Sequence, residues 1–128
     1  MSTTSGQKAI VHLIDDDAAI RASTELLFKT AGIDVQVYSS GIEFLSDLNP
    51  DEIRCLVIDV SMSGINGIDL LDRLRRSGIM APAIFTGYAN TPDVREAAAR
   101  TGAAVLIKPY RPEELITRVK NALDKEPN

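Results

Sequence analysis

The chain has 128 residues, of which 45% are hydrophobic and 25% charged, and it carries a formal net charge of -4. That length suits one domain able to bury roughly two-thirds of its unfolded surface. The mild acidity gives no general pull toward nucleic acid, and no apolar run is long enough to cross a membrane or to act as a signal peptide.

The single cysteine, Cys55, permits no internal disulfide and points to a reducing cytoplasm. Residues 1–7 are small and polar and are expected to form a flexible leader. Residues 8–124 are expected to be the folded domain, and residues 125–128 a polar tail or the start of a linker.

In chain order, Ile10-Val11-His12-Leu13-Ile14 is a short apolar run closed by acids and reads as a strand. A helix follows over residues 18–31, with Ile20, Leu27 and Ala31 on one stripe and Gly32 ending it. Residues 33–37 read as a second strand. Residues 40–48 read as a second helix, with Ser39 or Ser40 as N-cap and Asn49-Pro50 as its stop. Residues 55–58 are apolar throughout, as a strand buried on both faces would be. The third helix spans residues 66–76 with Ile68, Leu71 and Leu74 inward. A fourth strand covers residues 82–85. Thr91-Pro92 opens a helix running to about Arg100, with threonine as N-cap and proline in the first turn. Residues 103–107 form a fifth strand. Residues 112–123 form the last helix, with Leu115, Ile116, Val119 and Leu123 facing the sheet. Five strand–helix units in a row argue an α/β fold, a parallel sheet covered by helices on both faces.

Ligands of open parallel sheets bind beyond the carboxyl ends of the strands. Asp15-Asp16, Asp59, Thr86 and Lys108 all fall at such ends. They predict one pocket with three carboxylates, a hydroxyl and an ammonium. Carboxylates this close favour a cation among them, so the pocket reads as a divalent metal site built for phosphate. Asp59 stands where a buried strand meets the loop Ser61-Met62-Ser63-Gly64. A carboxylate so placed can attack phosphorus and form an aspartyl-phosphate, or simply cap the loop. Asp15 and Asp16 suit Mg²⁺, which keeps several waters and takes one or two carboxylates; they also suit a solvated acidic helix start, the role left to Asp17. Lys108 can meet a phosphoryl oxygen as a point charge, and its bond to Pro109 is a candidate cis peptide. The Thr86 hydroxyl can donate to phosphate or serve only the turn at Gly87. Among other residues, His12 and Cys55 read as packed strand positions. Arg73, Arg75 and Arg76 read as a solvated helix face, and Met62 and Met80 as packing at loop edges. Tyr88 either covers the pocket mouth or is a half-exposed loop aromatic.

Taken together, Leu13-Ile14-Asp15-Asp16-Asp17, Val57-Ile58-Asp59, Met62-Ser63-Gly64-Ile65-Asn66-Gly67, Ile84-Phe85-Thr86-Gly87 and Ile107-Lys108-Pro109-Tyr110 resemble the receiver domain of bacterial two-component response regulators. The likeness covers about residues 8–124. From Val11-His12-Leu13-Ile14-Asp15-Asp16 and Thr86-Gly87, it looks closest to the nitrogen-fixation and nodulation regulators. The resemblance implies a flavodoxin-like sheet in the order 2-1-3-4-5. It implies that Asp59 accepts a phosphoryl group from a sensor histidine kinase. Mg²⁺, or Mn²⁺ in its place, would be held by Asp15, Asp16, Asp59 and the backbone carbonyl of Ser61, with Thr86 and Lys108 contacting the phosphoryl group. The fourth helix, fifth strand and fifth helix would form the switching face toward an output domain or partner, with a homodimer on phosphorylation as a further expectation. The chain departs from the family pattern at Val105, where an aromatic ring is usual, and at Ser63, where proline is common and whose loss would loosen the loop after Asp59.

Two other classes of function compete. A phosphohydrolase of the aspartyl-nucleophile kind needs a second aspartate two residues after the first, and Ser61 stands there. A phosphate-independent interaction module would be favoured by loss of Asp59 or Lys108, and both are present.

Overall fold

The computed structural model describes residues 10–124, so the expectations for residues 1–7 and 125–128 lie outside the described residues. The elements are β1 (Ile10–Ile14), α1 (Ala18–Thr30), β2 (Asp34–Tyr38), α2 (Gly41–Ser46), a 3₁₀ turn (Pro50–Glu52), β3 (Ile53–Asp59), α3 (Gly67–Arg76), β4 (Ala83–Gly87), α4 (Pro92–Thr101), β5 (Ala104–Ile107) and α5 (Pro112–Asp124). The strands form one parallel sheet in the order β2-β1-β3-β4-β5, the flavodoxin-like arrangement.

Strand alternation sorts the core into two layers. Val11, Leu13, Cys55, Val57, Ile84 and Leu106 face Phe28 of α1 and Leu115 and Val119 of α5. Ile14, Leu56, Ile58 and Phe85 face Phe44 of α2, the three leucines Leu70, Leu71 and Leu74 of α3, and Ala97 of α4. Each valine, leucine, isoleucine or phenylalanine among them contributes roughly 1.5–3 kcal/mol of burial, and the two layers hold α1 and α5 on one face and the other helices opposite.

Local chemistry fixes the helix starts. Ser40 Oγ accepts from the Glu43 N–H (3.0 Å), the N-cap bond of α2, and the Glu43 carboxylate reaches back to accept from the N–H of Ser39, the residue before the cap (2.6 Å). Asn66 and Thr91 cap α3 and α4 through their side chains, and Gly102 closes α4 at φ +80°, a left-handed turn that glycine takes freely.

Several details differ from the sequence expectations. β2 runs one residue later, because Tyr38 pairs with Ile14 and buries its ring beside His12 and Phe44. β3 begins at Ile53, which pairs with Ile10 before the ladder shifts at Val11. On α1 the fully buried positions are Thr24 and Phe28, while Leu27 and Ala31 of the expected stripe pack half-buried against the same layer. Arg75 is not solvated: its guanidinium donates to the carbonyls of Thr101 (3.0 Å), Ile79 (2.9 Å) and Ala81 (2.9 Å). Met62 packs in the core, whereas Met80 is 70% exposed. His12 is buried as expected, stacked on Tyr38 at 5.9 Å, and its Nδ1 meets no hydrogen-bond partner among the described residues.

Candidate functional site

Four strand ends converge on one pocket. β1 delivers Asp15 and Asp16 one and two residues past its end, β3 ends on Asp59, β4 carries Thr86 and β5 is followed by Lys108. Thr86 lies beside Asp59 in the parallel register. The Val60 N–H donates to the Thr86 carbonyl (2.8 Å) and the Lys108 N–H to the Gly87 carbonyl (2.7 Å), which extends the ladder past the strands. The Lys108-Pro109 peptide is cis.

Asp15 is tied on every side. Its Oδ1 accepts from the Asp17 N–H (2.9 Å), its Oδ2 from Lys108 Nζ (3.2 Å), and its carbonyl from Arg21 (2.8 Å). Asp17 caps α1, accepting from the N–H groups of Ala19 and Ile20. Asp59 is 5% exposed; its Oδ1 accepts from the Ser61 N–H (3.1 Å), and its Oδ2 lies 3.8 Å from Lys108 Nζ. Asp16 is exposed and accepts through Oδ2 from the Ser63 N–H (3.1 Å) and, at 3.4 Å, from the Ser63 hydroxyl. The loop after Asp59 is therefore tethered at Ser63 rather than loosened. Tyr88 is an exposed loop aromatic, 68% accessible, with its ring centroid 5.2 Å from Lys108 Nζ.

Oxygens of Asp15, Asp16 and Asp59 all lie within 4.8 Å of one another, against one ammonium. Burial and then the Asp15 charge push the Asp59 carboxyl up to about 6, although the Ser61 amide and Lys108 oppose this. At Lys108, burial disfavours the charge, but Asp15 and Asp59 outweigh it and the net shift is upward. An all-oxygen, carboxylate-rich cluster with surplus negative charge is the donor set of a hard divalent cation. The residues therefore fit Mg²⁺.

The electrostatics set a pH dependence. Asp59 holds its proton more tightly folded, near 6, than at its ordinary 3.8. The metal-free domain should therefore lose stability as pH rises from about 4 to about 6. His12 works oppositely, because burial lowers its pKa below the ordinary 6.5, so stability should also fall as pH drops below that value. Urea titrations in a chelator would resolve the two. Asp59→Asn should flatten the acid-side loss on rising pH, and His12→Phe should remove the opposing slope. An unaltered pH profile in both variants would refute the assignment.

Residues 11–120 match the family described as "Response regulator receiver domain". The chain belongs to that family. It is a receiver domain of two-component response regulators, of the nitrogen-fixation and nodulation-like subgroup. It is 35% identical to "Nodulation protein W" of Bradyrhizobium diazoefficiens over 97% of this chain and 55% of that protein. It is 36% identical to "Transcriptional regulatory protein FixJ" of Azorhizobium caulinodans over 90% of this chain and 55% of that protein. Its fold superposes on the receiver domain of the Francisella response regulator 1452 with a TM-score of 0.81, at 31% identity, covering 91% of this chain and 97% of that one. The chain thus spans about half the length of the curated relatives it matches.

The pocket brings together Asp15, Asp16, Asp59 and Lys108, with Thr86 beside Asp59 in the register. Three supporting features were not foreseen: Arg21 on the Asp15 carbonyl, Ser63 on Asp16, and Gly67, where a β-carbon would strike the Asp59 carbonyl. Only Gly67 left a sequence signal, as the Asn66-Gly67 turn before a helix.

Proposed function

We propose that this receiver is a phosphoacceptor switch. A carboxylate oxygen of Asp59 attacks the phosphorus of a phosphohistidine on a sensor kinase. The P–N bond breaks, the imidazole leaves with the electron pair, and an acyl phosphate forms on Asp59. The observation that carries this reading is a buried Asp59 carboxylate grouped with Asp15 and Asp16 within 4.8 Å and with Lys108 at 3.8 Å. At neutral pH, above its raised value of about 6, Asp59 is ionised and competent as a nucleophile.

Asp15, Asp16, Asp59 and the Ser61 carbonyl would hold Mg²⁺, or Mn²⁺, whose charge offsets that of the transferring phosphoryl group. Lys108 would pair with a phosphoryl oxygen, exchanging its bond to Asp15 for one to the new group. Thr86, beside Asp59 in the register, would donate its hydroxyl to another. The domain turns over no external substrate, since its one product is its own modified aspartate.

The new charge would be read on α4, β5 and α5 as a local electrostatic event. Val105 sits there without a ring, so displacement of α4 carries the response. The receiver domain, residues 8–124, would pass the signal to an output domain or a partner protein, with a homodimer as one phosphorylated state. Direct nucleic-acid binding is no part of the proposal, and the cytoplasm is its place of action; among the described residues no helix is long and apolar enough to cross a membrane.

Intact mass after incubation with Mg²⁺ and a small acyl-phosphate donor tests the reading. One added phosphoryl group is expected. No addition, with either the small donor or a phosphorylated kinase, would leave a phosphate-independent interaction module. Lys108→Ala should keep saturable Mg²⁺ binding but slow labelling by about 10²-fold, the usual loss when one charge-stabilising donor is removed. An unchanged rate, together with the same change in the α4 amide spectrum on labelling as in the wild type, would take the lysine out of this role.

A further inference from the structure

We infer that Ser63 is a positioning residue that holds the exposed Asp16 carboxylate in the metal-binding cluster; this rests on the reading that Asp15, Asp16 and Asp59 bind Mg²⁺. Asp15 and Asp59 are buried and held by donors of their own, the Asp17 N–H and Lys108 on Asp15 and the Ser61 N–H on Asp59. Asp16 is exposed, and the two neighbouring carboxylates repel it toward solvent. Its Oδ2 is instead engaged by two donors from one residue across the pocket, the Ser63 N–H at 3.1 Å and the Ser63 hydroxyl at 3.4 Å. Among the described residues no other side-chain or amide donor reaches this carboxylate. An oxygen of Asp16 nevertheless lies within 4.8 Å of both other carboxylates. The tether therefore offsets the repulsion before the cation arrives, and the cation meets a site already assembled.

The stronger of the two bonds comes from the backbone, so the discriminating substitution removes an N–H. Proline has none, and Ser63→Pro deletes both donors; Ser63→Ala deletes only the long hydroxyl bond. Groups that orient a metal ligand are worth about 10–100-fold in affinity at buried sites. At this exposed one, about three- to tenfold is expected. Titration of Mg²⁺ into the protein, followed by amide NMR, should give a weaker dissociation constant for Ser63→Pro by that factor. For Ser63→Ala the change should stay under about twofold. The effect should vanish when Asp16→Ala is present in both backgrounds, because a tether with nothing to hold is without consequence; a general change in loop stiffness would persist.

Equal or tighter Mg²⁺ binding by Ser63→Pro would overturn the inference, as would a loss of affinity that survives in the Asp16→Ala background. No saturable Mg²⁺ binding by the wild type would instead overturn the metal-site reading itself. If Ser63→Pro does not fold, the Ser63 amide proton carries the test. Loss of its carboxylate acceptor in Asp16→Ala should move it upfield, and a stationary resonance would refute the tether.

Discussion

Asp59→Asn is expected to gain no phosphoryl mass under conditions that fully label the wild type, and to melt in metal-free buffer at a higher temperature than the wild type. Asparagine keeps the shape of the side chain. Its carbonyl oxygen can still accept from the Ser61 N–H that now bonds Asp59 Oδ1 at 3.1 Å, and its amide can face Asp15 as a donor. What disappears is the nucleophile, since a neutral amide does not displace a leaving group from phosphorus. The stability gain follows from what raises the Asp59 pKa. Burial and the Asp15 charge both disfavour the ionised carboxylate, and together they outweigh Lys108. Removing that charge at pH 7 should stabilise the metal-free domain by about 1–2 kcal/mol. Saturating Mg²⁺ stabilises only the form that binds it, so the order of the two melting temperatures should narrow or reverse as Mg²⁺ is added. Retained labelling at the wild-type rate would move the acceptor to another residue. A variant less stable than the wild type in chelator would show that Lys108, not Asp15, dominates the balance at Asp59.

Gly67→Ala should be strongly destabilising, although alanine is favoured over glycine in a helix by about 1 kcal/mol. Gly67 opens α3 hard against β3. Its N–H donates to the Val60 carbonyl at 3.1 Å, and a β-carbon there would collide with the Asp59 carbonyl oxygen, the Asp59 carbonyl carbon at 3.0 Å and Ile58 Cγ2 at 2.9 Å. Two of those atoms are backbone at the end of a buried strand and cannot yield as a side chain tip can. Either the helix start lifts away or the end of β3 is displaced. Overpacking of this kind costs about 2–3 kcal/mol, measurable by urea denaturation. Because the displaced residue is Asp59, labelling by the acyl-phosphate donor should slow as well, and more in Gly67→Ala than in a distant core variant of equal stability loss. A variant as stable as the wild type would mean that α3 can shift its entry freely.

The order of elements was legible because apolar runs, caps and glycine stops are local signals. The five strands, the Ser40 and Thr91 caps and the Gly32 stop are all of that kind. The site was legible because strand ends place polar residues at predictable corners: Asp15, Asp16, Asp59, Thr86 and Lys108 meet as their positions imply. What could not be read off was set by pairing between distant segments. The one-residue offset of β2 depends on Tyr38 lying beside Ile14, and the early start of β3 on Ile53 lying beside Ile10. Arg75 looked like one of three solvated arginines; only the fold places three carbonyl oxygens within its reach. The Ser63 contact was missed for the same reason, since Asp16 stands 47 residues away.

The Arg75 contacts have a mechanical consequence. They clasp the last residue of α4, Thr101, to α3 and to the approach to β4, at the end of the sheet remote from the carboxylates. The other end of α4 starts at Thr91-Pro92, after the exposed stretch 88–91 that leads away from Thr86. A rod clamped by hydrogen bonds at its far tip, and led in by an exposed stretch near the pocket, pivots instead of sliding. A small pull at Thr86 would then be delivered as a tilt of α4 about Thr101, largest beside the pocket and nearly absent at the clamp.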